Sequence, residues 1–191
     1  MSNAFYIADL HFGHTNIIRF DGRPFSTVEG MNDTLVANWN NRVKDSDTVY
    51  ILGDFSFRLP HKQRDEILAS LNGQKILIRG NHDGDIRPSN NRGESRMLKK
   101  VPDYLEVRDG EHKVILSHYP MMAWNGSFHG SIHLFGHVHW TTPEALQVRE
   151  WQRKMAETGQ APKMYNVGCM VPYMRYAPKT LKEIIKGENH V

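Results

Sequence analysis

Short apolar runs recur along the chain, and each has the length of a buried β-strand. They are rich in residues that favour strands and lack the three-to-four-residue spacing of an amphipathic helix. The pattern predicts six strands, over Phe5–Ala8, Thr48–Leu52, Lys75–Arg79, Lys113–Ser117, Ser131–Phe135 and Lys163–Val167.

Helical spacing of apolar residues appears between the early strands and again near the end of the chain. In the first of these segments, Met31, Leu35 and Trp39 recur every four residues and would share one face. Strands alternate with helices in the first half and predominate in the second, which favours an α/β layered fold with a mixed sheet. The helices are predicted over Val28–Val43, Lys62–Leu71, Glu144–Gln160 and Thr180–Lys186.

Length and composition are those of a globular protein. The chain has 191 residues, 39% hydrophobic and 24% charged, and we expect a single domain over residues 1–191. No apolar run reaches the roughly 18 residues of a membrane span, and the first residues do not resemble a secretion signal. We therefore expect a cytoplasmic protein with no membrane partner. The single cysteine, Cys169, excludes an intramolecular disulfide framework and a Cys-rich zinc site.

The charge balance is mildly basic, with a net charge of +3. It is compatible with an anionic substrate but does not require one. The polar segment Asp83–Pro102 predicts a long loop of the kind that is often functional. Within it, Arg87–Lys100 carries five basic residues and one acid. We interpret this segment as a solvated loop, with a nucleic-acid contact as the alternative.

Polar side chains able to bind metal follow five of the predicted strands. In open α/β sheets, sites form beyond the carboxyl ends of the strands. Two of the motifs place their polar residues at i and i+2, which puts both side chains on one face of an extended chain. Any one motif alone is typical of a turn, but five in succession predict a shared metal site. The motifs are Asp9-Leu10-His11, Gly53-Asp54, Gly80-Asn81-His82-Asp83, Ser117-His118 and Gly136-His137-Val138-His139.

The order of these motifs resembles that of the calcineurin-like metallophosphoesterase superfamily. The strings Asp9–Ile18, Leu116–Pro120 and Asn166–Gly168 resemble its small prokaryotic and phage-borne members, and the resemblance extends over about residues 4–186. It implies a layered metallophosphoesterase-like sandwich of mixed β-sheets flanked by helices. The chain departs from the pattern after Asp54, where many members have Gly-Asp-x-x-Asp and this sequence has Phe57 in place of the second acid.

The resemblance also implies a centre of two divalent metal ions. We expect Mn²⁺, with Fe, Zn²⁺, Co²⁺ or Ni²⁺ as alternatives, because imidazole, carboxylate and amide oxygen suit these ions. Two such ions would leave the site positively charged and suited to an anionic phosphoryl group. Asp54 would bridge the ions, with Asp9, His11 and His139 on the first and Asn81, His118 and His137 on the second.

The implied reaction is hydrolysis of a phosphoester, either a monoester or a diester, of a small substrate. A hydroxide that bridges the two metals would be the nucleophile, and His82 would protonate the leaving group as general acid. Asp83 would orient the His82 ring and raise its pKa. The candidates for substrate contacts are His14, Asn16, Arg23 and Arg58.

Three other interpretations of the sequence remain open. A nuclease of the same superfamily would use the basic segment to hold a phosphate backbone. An interaction scaffold would keep the fold and bear a metal site without turnover, although every expected ligand position is filled here. A metal-dependent amidohydrolase fits less well, because those enzymes resemble barrels of about 250 residues. The oligomeric state stays open.

Overall fold

The computed structural model describes residues 2–84, 86–87 and 98–188. Its first sheet has four strands in the order β1-β2-β3-β4, and all neighbouring pairs are parallel. Parallel strands bring their carboxyl ends to the same edge of the sheet, where a site can form. The strands are β1 (Ala4–Ile7), β2 (Thr48–Leu52), β3 (Gln74–Ile78) and β4 (Leu98–Lys100).

The second sheet also has four strands, in the order β5-β6-β7-β8. Its first pair is antiparallel and the other two pairs are parallel, so this sheet is mixed. An isolated bridge between Ala8 and Gly168 joins the end of β1 to the segment after the last strand. The carboxyl ends of the two sheets therefore meet. The strands are β5 (Tyr104–Asp109), β6 (His112–Ser117), β7 (Ile132–Phe135) and β8 (Met164–Asn166).

Helices cover the outer faces of the two sheets. Thr27 precedes α2 and caps its N-terminus, because its Oγ1 accepts a hydrogen bond from Gly30 N. Met31 and Trp39 on the inner face of this helix are buried. No helix among residues 2–84, 86–87 and 98–188 is long and apolar enough to cross a membrane. The helices are α1 (Thr15–Phe20), α2 (Val28–Asn40), α3 (His61–Ser70), α4 (Pro143–Glu157) and α5 (Leu181–Glu188).

The main hydrophobic core lies between the two sheets. Tyr6 and Leu52 from the first sheet belong to the same buried cluster as Leu116 from the second, and the Tyr6 hydroxyl donates to Asp109 of β5. Alternate residues of β6 point to opposite faces, so Ile115 belongs instead to a smaller cluster with Ala145 of α4. This architecture confirms the α/β sandwich flanked by helices.

The predicted strands all form, with ends within one residue of the prediction. The predicted helices also form, but α2 ends at Asn40 and α4 at Glu157, three residues early in each case. Two strands were not predicted: β4 lies inside the segment expected to be a loop, and β5 precedes β6. Both are edge strands with charged, exposed residues, so neither has the apolar run that marks a buried strand.

The basic segment is only partly described. Arg87 is exposed and donates to Gly84 O and Ile86 O, while Lys99 and Lys100 are exposed in β4. The other two basic residues of this segment, Arg92 and Arg96, lie outside the described residues, so the alternative of a nucleic-acid contact stays a prediction.

Candidate metal centre

The five sequence motifs converge at the meeting edge of the two sheets, as their positions after the strands predicted. Asp54 follows β2, Asn81 follows β3, and His118 follows β6 directly. The remaining candidate ligands, Asp9, His11, His137 and His139, follow β1 and β7.

Four of these residues have left-handed backbone conformations that are uncommon outside glycine. The φ angles are 55° at Asp9, 53° at His11, 52° at Asp54 and 66° at His137. Such conformations cost on the order of 1–3 kcal/mol each and cluster at functional sites. Gly53, beside Asp54, has φ +87°, and a Cβ there would lie 2.1 Å from His118 Nδ1, so only glycine fits.

The carboxylate of Asp54 lies between two groups of candidate ligands. Its Oδ2 is 3.6 Å from His11 Nε2, and its Oδ1 is 3.6 Å from His118 Nε2. The backbone N–H of His82 donates to Oδ1 at 3.0 Å, which holds the carboxylate in place. One oxygen therefore faces each group, as a bridging ligand requires.

The first group consists of Asp9, His11 and His139, whose ligand atoms all lie within 4.8 Å of one another. His11 Nε2 and His139 Nε2 face each other at 3.3 Å. Asp9 is fully buried and accepts from the backbone N–H of His137, and burial raises its pKa to about 6. A divalent cation between these atoms would accept the lone pairs of both Nε2 atoms and would favour the ionised form of Asp9.

The second group consists of Asn81, His118 and His137. His118 Nδ1 donates to Leu52 O at 2.8 Å, so in the neutral ring the lone pair is on Nε2. That nitrogen lies 3.0 Å from Asn81 Oδ1, and His137 Nδ1 lies 3.1 Å from the same oxygen. Acceptors that face one another in this way fit a cation held between them.

The residue Asp21 supports the first group and was missed by the sequence analysis. Its Oδ1 accepts from His139 Nδ1 at 2.5 Å, which leaves His139 Nε2 free to bind metal. Burial raises the pKa of Asp21, but the bonds from His139 and Arg23 outweigh it and lower the pKa. The sequence offers little signal for this role, because Asp21 and His139 are 118 residues apart.

The predicted contact of Arg23 with substrate phosphate is wrong. Its side chain is buried, and its guanidinium donates to Asp9 O at 2.9 Å, to Leu10 O at 3.0 Å and to Asp21 Oδ2 at 2.9 Å. Arg23 therefore holds the backbone of the first motif and the carboxylate that orients His139.

The predicted role of Asp83 also needs correction, because its carboxylate is buried beneath the turns rather than behind His82. Its Oδ2 accepts from Asp54 N at 2.7 Å and from Gly80 N at 2.9 Å, and its Oδ1 accepts from Phe55 N at 3.0 Å. Asp83 therefore positions the backbone of Asp54, the candidate bridging ligand.

The imidazole of His82 lies at the mouth of the site. Its Nε2 is 3.9 Å from Asp54 Oδ2, and about a third of the side chain is exposed. Phe57 contacts the His82 ring edge to face, at 5.0 Å between centroids. This is the position at which many members of the superfamily that the motifs resemble have an acid. Phe57 thus forms an aromatic wall next to His82.

Two of the other predicted substrate contacts lie against the same aromatic wall. His14 stacks on Phe57 at 4.0 Å between centroids, and the guanidinium of the exposed Arg58 lies 5.1 Å from the Phe57 centroid. Asn16 is exposed in the first turn of α1. Contacts of these three residues with substrate stay predictions.

Comparison with known proteins confirms the resemblance. The sequence matches the model of the calcineurin-like phosphoesterase family over residues 5–154. The uncharacterized protein MJ1445 of Methanocaldococcus jannaschii is 35% identical over 187 residues, which cover 97% of this chain and 91% of that protein. The gene 66 protein of Mycobacterium phage L5 is 30% identical over 166 residues, 73% of this chain and 78% of the phage protein.

A solved structure supports the fold. The crystal structure of AQ665, a protein of unknown function from Aquifex aeolicus, superposes with a TM-score of 0.69 at 24% identity. The match covers 97% of this chain and 99% of that one. The family match and the converging Asp and His residues lead to the same conclusion: the chain belongs to the calcineurin-like phosphoesterase family.

Proposed function

We propose that this protein hydrolyses phosphoesters with the help of two divalent metal ions. The observation that carries the proposal is the placement of Asp54, whose two oxygens each lie 3.6 Å from an imidazole nitrogen of a different ligand group. Two-metal sites that act on phosphates hold their ions about 3.5–4 Å apart, a spacing that one carboxylate can bridge.

These contacts support the two ligand sets that the resemblance implies. Oxygen and imidazole ligands suit Mn²⁺, which we expect here, as well as Fe, Zn²⁺, Co²⁺ or Ni²⁺. When bound, the ions would neutralise phosphoryl oxygens and make a water molecule a better nucleophile. Asp9, His11, Asp54 and His139 would hold one ion, and Asp54, Asn81, His118 and His137 the other.

The general acid in this proposal is His82. Its backbone is anchored to Asp54 Oδ1, its ring is held edge-on by Phe57, and its exposed edge faces the mouth of the site. As the bond from phosphorus to the leaving oxygen breaks, His82 would transfer its proton to that oxygen. Such a transfer contributes about 10²–10⁴-fold to the rate.

Arg58 and His14 are the proposed contacts for the rest of the substrate. Arg58 is exposed next to Phe57, so its guanidinium can reach a phosphoryl oxygen of a substrate at the mouth. We propose a small phosphoester as the substrate. A nucleic-acid substrate, the cytoplasmic location and the absence of a membrane partner stay predictions.

The first test measures Mn²⁺-dependent hydrolysis of bis(p-nitrophenyl) phosphate and p-nitrophenyl phosphate. Asp54→Asn should abolish both turnover and binding of the second ion, because the bridge is lost. Asp103→Asn is the matched control, since Asp103 is an exposed carboxylate that pairs with Arg79 and with none of the candidate ligands. Absence of both turnover and bound metal in the wild type would refute the proposal and favour the scaffold.

A second test examines His82 through the leaving group. His82→Ala should keep its metals but lose about 10²–10⁴-fold in rate with an alkyl ester. The loss with p-nitrophenyl esters should be smaller, because nitrophenolate leaves without much protonation. His129→Ala, at an exposed histidine, should change neither rate. Equal losses for both leaving groups would remove His82 from the acid role.

A further inference from the structure

An apolar groove opens beside the candidate metal centre. Its cavity has a volume of about 520 Å³ and lies between the loop after β6 and helix α4. The lining residues that matter here are Tyr119, Met121 and Met122 from the loop, Val148 and Trp151 from the helix, and His137 at the inner end.

The groove is continuous with the centre through His137. This residue lies 3.1 Å from Asn81 Oδ1 on the side of the proposed ligands, and its ring contacts Tyr119 at 4.5 Å between centroids on the side of the groove. The Tyr119 ring also contacts His118 at 5.0 Å. A group attached to a phosphate at the centre would therefore enter the groove directly.

The wall that carries Tyr119 and Met121 is held in place before any ligand binds. Ser117 Oγ donates to Tyr119 O at 2.6 Å, and the backbone N–H of Met121 donates to His133 Nε2 at 3.2 Å. His133 Nδ1 in turn donates to Ile115 O at 3.2 Å. A preformed wall lowers the entropy cost of binding.

The chemistry of the lining favours an aromatic ligand. Tyr119 and Met122 are 48% and 69% exposed, and they adjoin Met121, Val148 and Trp151 in one contiguous apolar lining, which is typical of a ligand-binding groove. Tyrosine and tryptophan rings stack on aromatic groups, and methionine sulfur makes favourable contacts with them. The polar residues Glu144 and Gln147 of α4 also line the groove.

The groove and the general acid lie on different sides of Asp54. The His82 ring is on the side of Oδ2, near His11, whereas His118 is on the side of Oδ1 together with His137 and the groove. A leaving group beside His82 and a second substituent in the groove would thus occupy separate places.

We propose that the groove binds an aromatic group on the ester oxygen that does not leave, so that the substrate is a phosphodiester with one aromatic-bearing substituent. This inference rests on the proposed function of the metal centre and specifies its substrate class. Hydrolysis would cleave the phosphorus–oxygen bond near His82 and retain the aromatic group on the phosphate product.

The first experiment measures binding by calorimetry, in the metal-free and the Mn²⁺-loaded protein. The probes are methylphosphonate and 1-naphthylmethylphosphonate, which share a head group that cannot be hydrolysed. The naphthyl compound should bind the loaded protein at least about tenfold more tightly, equivalent to about 1.4 kcal/mol. Met122→Gln, at an exposed position, and Met122→Gln with Val148→Gln should progressively remove this preference.

Leu146→Gln is the matched control, because Leu146 is 57% exposed on α4 but does not line the groove. It should keep the preference. Equal binding of the two phosphonates, or a preference that survives in the double variant, would overturn the proposal. The proposal would also be overturned if the double variant lost self-association of the chain but kept its ligand preference. In that case the groove would be the contact surface for a second copy of the chain.

The second experiment compares kcat/KM for 1-naphthyl and methyl esters of p-nitrophenyl phosphate, which release the same leaving group. We expect at least a tenfold advantage for the naphthyl ester that is lost in the double variant. Equal values of kcat/KM would overturn the proposed binding role of the groove without affecting the proposed role of the metal centre. Tighter binding of the naphthyl compound without any turnover would instead overturn the proposed hydrolytic function. A thymidine ester that matches the naphthyl ester would identify the aromatic group as a nucleobase, and a poor one would identify an apolar ring.

Discussion

Replacing Asp83 with asparagine should destabilise the fold and the metal centre together, without changing how the leaving group is protonated. Asp83 is fully buried, and its carboxylate accepts three backbone N–H bonds, from Asp54, Phe55 and Gly80. Asparagine has nearly the same shape but only one acceptor oxygen. If that oxygen keeps the bonds from Asp54 and Gly80, the amide nitrogen faces the N–H of Phe55.

The size of the effect follows from these contacts. Burial raises the pKa of Asp83, although its three N–H bonds lower it, so the negative charge itself contributes little stability. The main loss in the variant is therefore that of a hydrogen-bond acceptor. A buried N–H without an acceptor costs about 1–3 kcal/mol, and here both the Phe55 N–H and the new amide are affected. We expect a loss of about 3 kcal/mol. For a chain of this length that corresponds to a Tm lower by about 6–12 °C.

The assay is thermal unfolding at pH 7 with and without Mn²⁺, together with the metal content of the purified protein. Asp103→Asn is the control, since its exposed ion pair with Arg79 is worth about 0–1 kcal/mol. The reasoning would be refuted if Asp83→Asn unfolded like the wild type. A selective loss of rate with alkyl esters in that variant would instead return Asp83 to the role of orienting His82.

Three further predictions follow from the structure. Asp21→Asn should weaken Mn²⁺ binding about 10–100-fold by calorimetry, because the imidazole it orients is freed; unchanged affinity would contradict this. Burial lowers the pKa of His133 from 6.5 to about 4. Between these pH values the unfolded chain binds a proton on His133 that the folded chain does not. The contribution of His133 to the free energy of unfolding should therefore rise by about 3 kcal/mol from pH 4 to 6.5. In urea unfolding, the stability of His133→Phe should rise less than that of the wild type over this pH range. An equal rise would show that His133 is not the cause of the pH dependence. Gly53→Ala should displace His118 and reduce bound Mn²⁺. Gly159→Ala is the control, because Gly159 has a similar φ of +78° but a Cβ there meets nothing within 4 Å, and this variant should bind Mn²⁺ normally.

Much of the site was predictable because its residues follow strands whose order and direction limit where they meet. The apolar runs of β1, β2, β3, β6 and β7 mark buried strands, and the polar residues after them share one edge. The edge strands β4 and β5 were missed because one-sided exposure leaves them without an apolar run.

The roles of the supporting residues were not predictable. Arg23 has the chemistry of a phosphate ligand and was assigned to the substrate, and Asp83 stands next to His82 in the sequence and was assigned to orient its ring. In the folded chain Arg23 donates to the backbone of Asp9, and Asp83 accepts from that of Asp54. Burial committed their polar atoms to backbone partners, and burial depends on the packing of the whole chain.

The sequence by itself therefore determined the α/β layered class and the candidate metal-binding residues, because strand periodicity and residue chemistry are local properties. The sandwich and the family followed from the resemblance of the motif order to known phosphoesterases. Only the tertiary structure decided that Asp21 orients His139, that Phe57 lines the mouth, and that an apolar groove begins at His137. Each of these depends on distances between segments far apart in the chain, which no local pattern specifies.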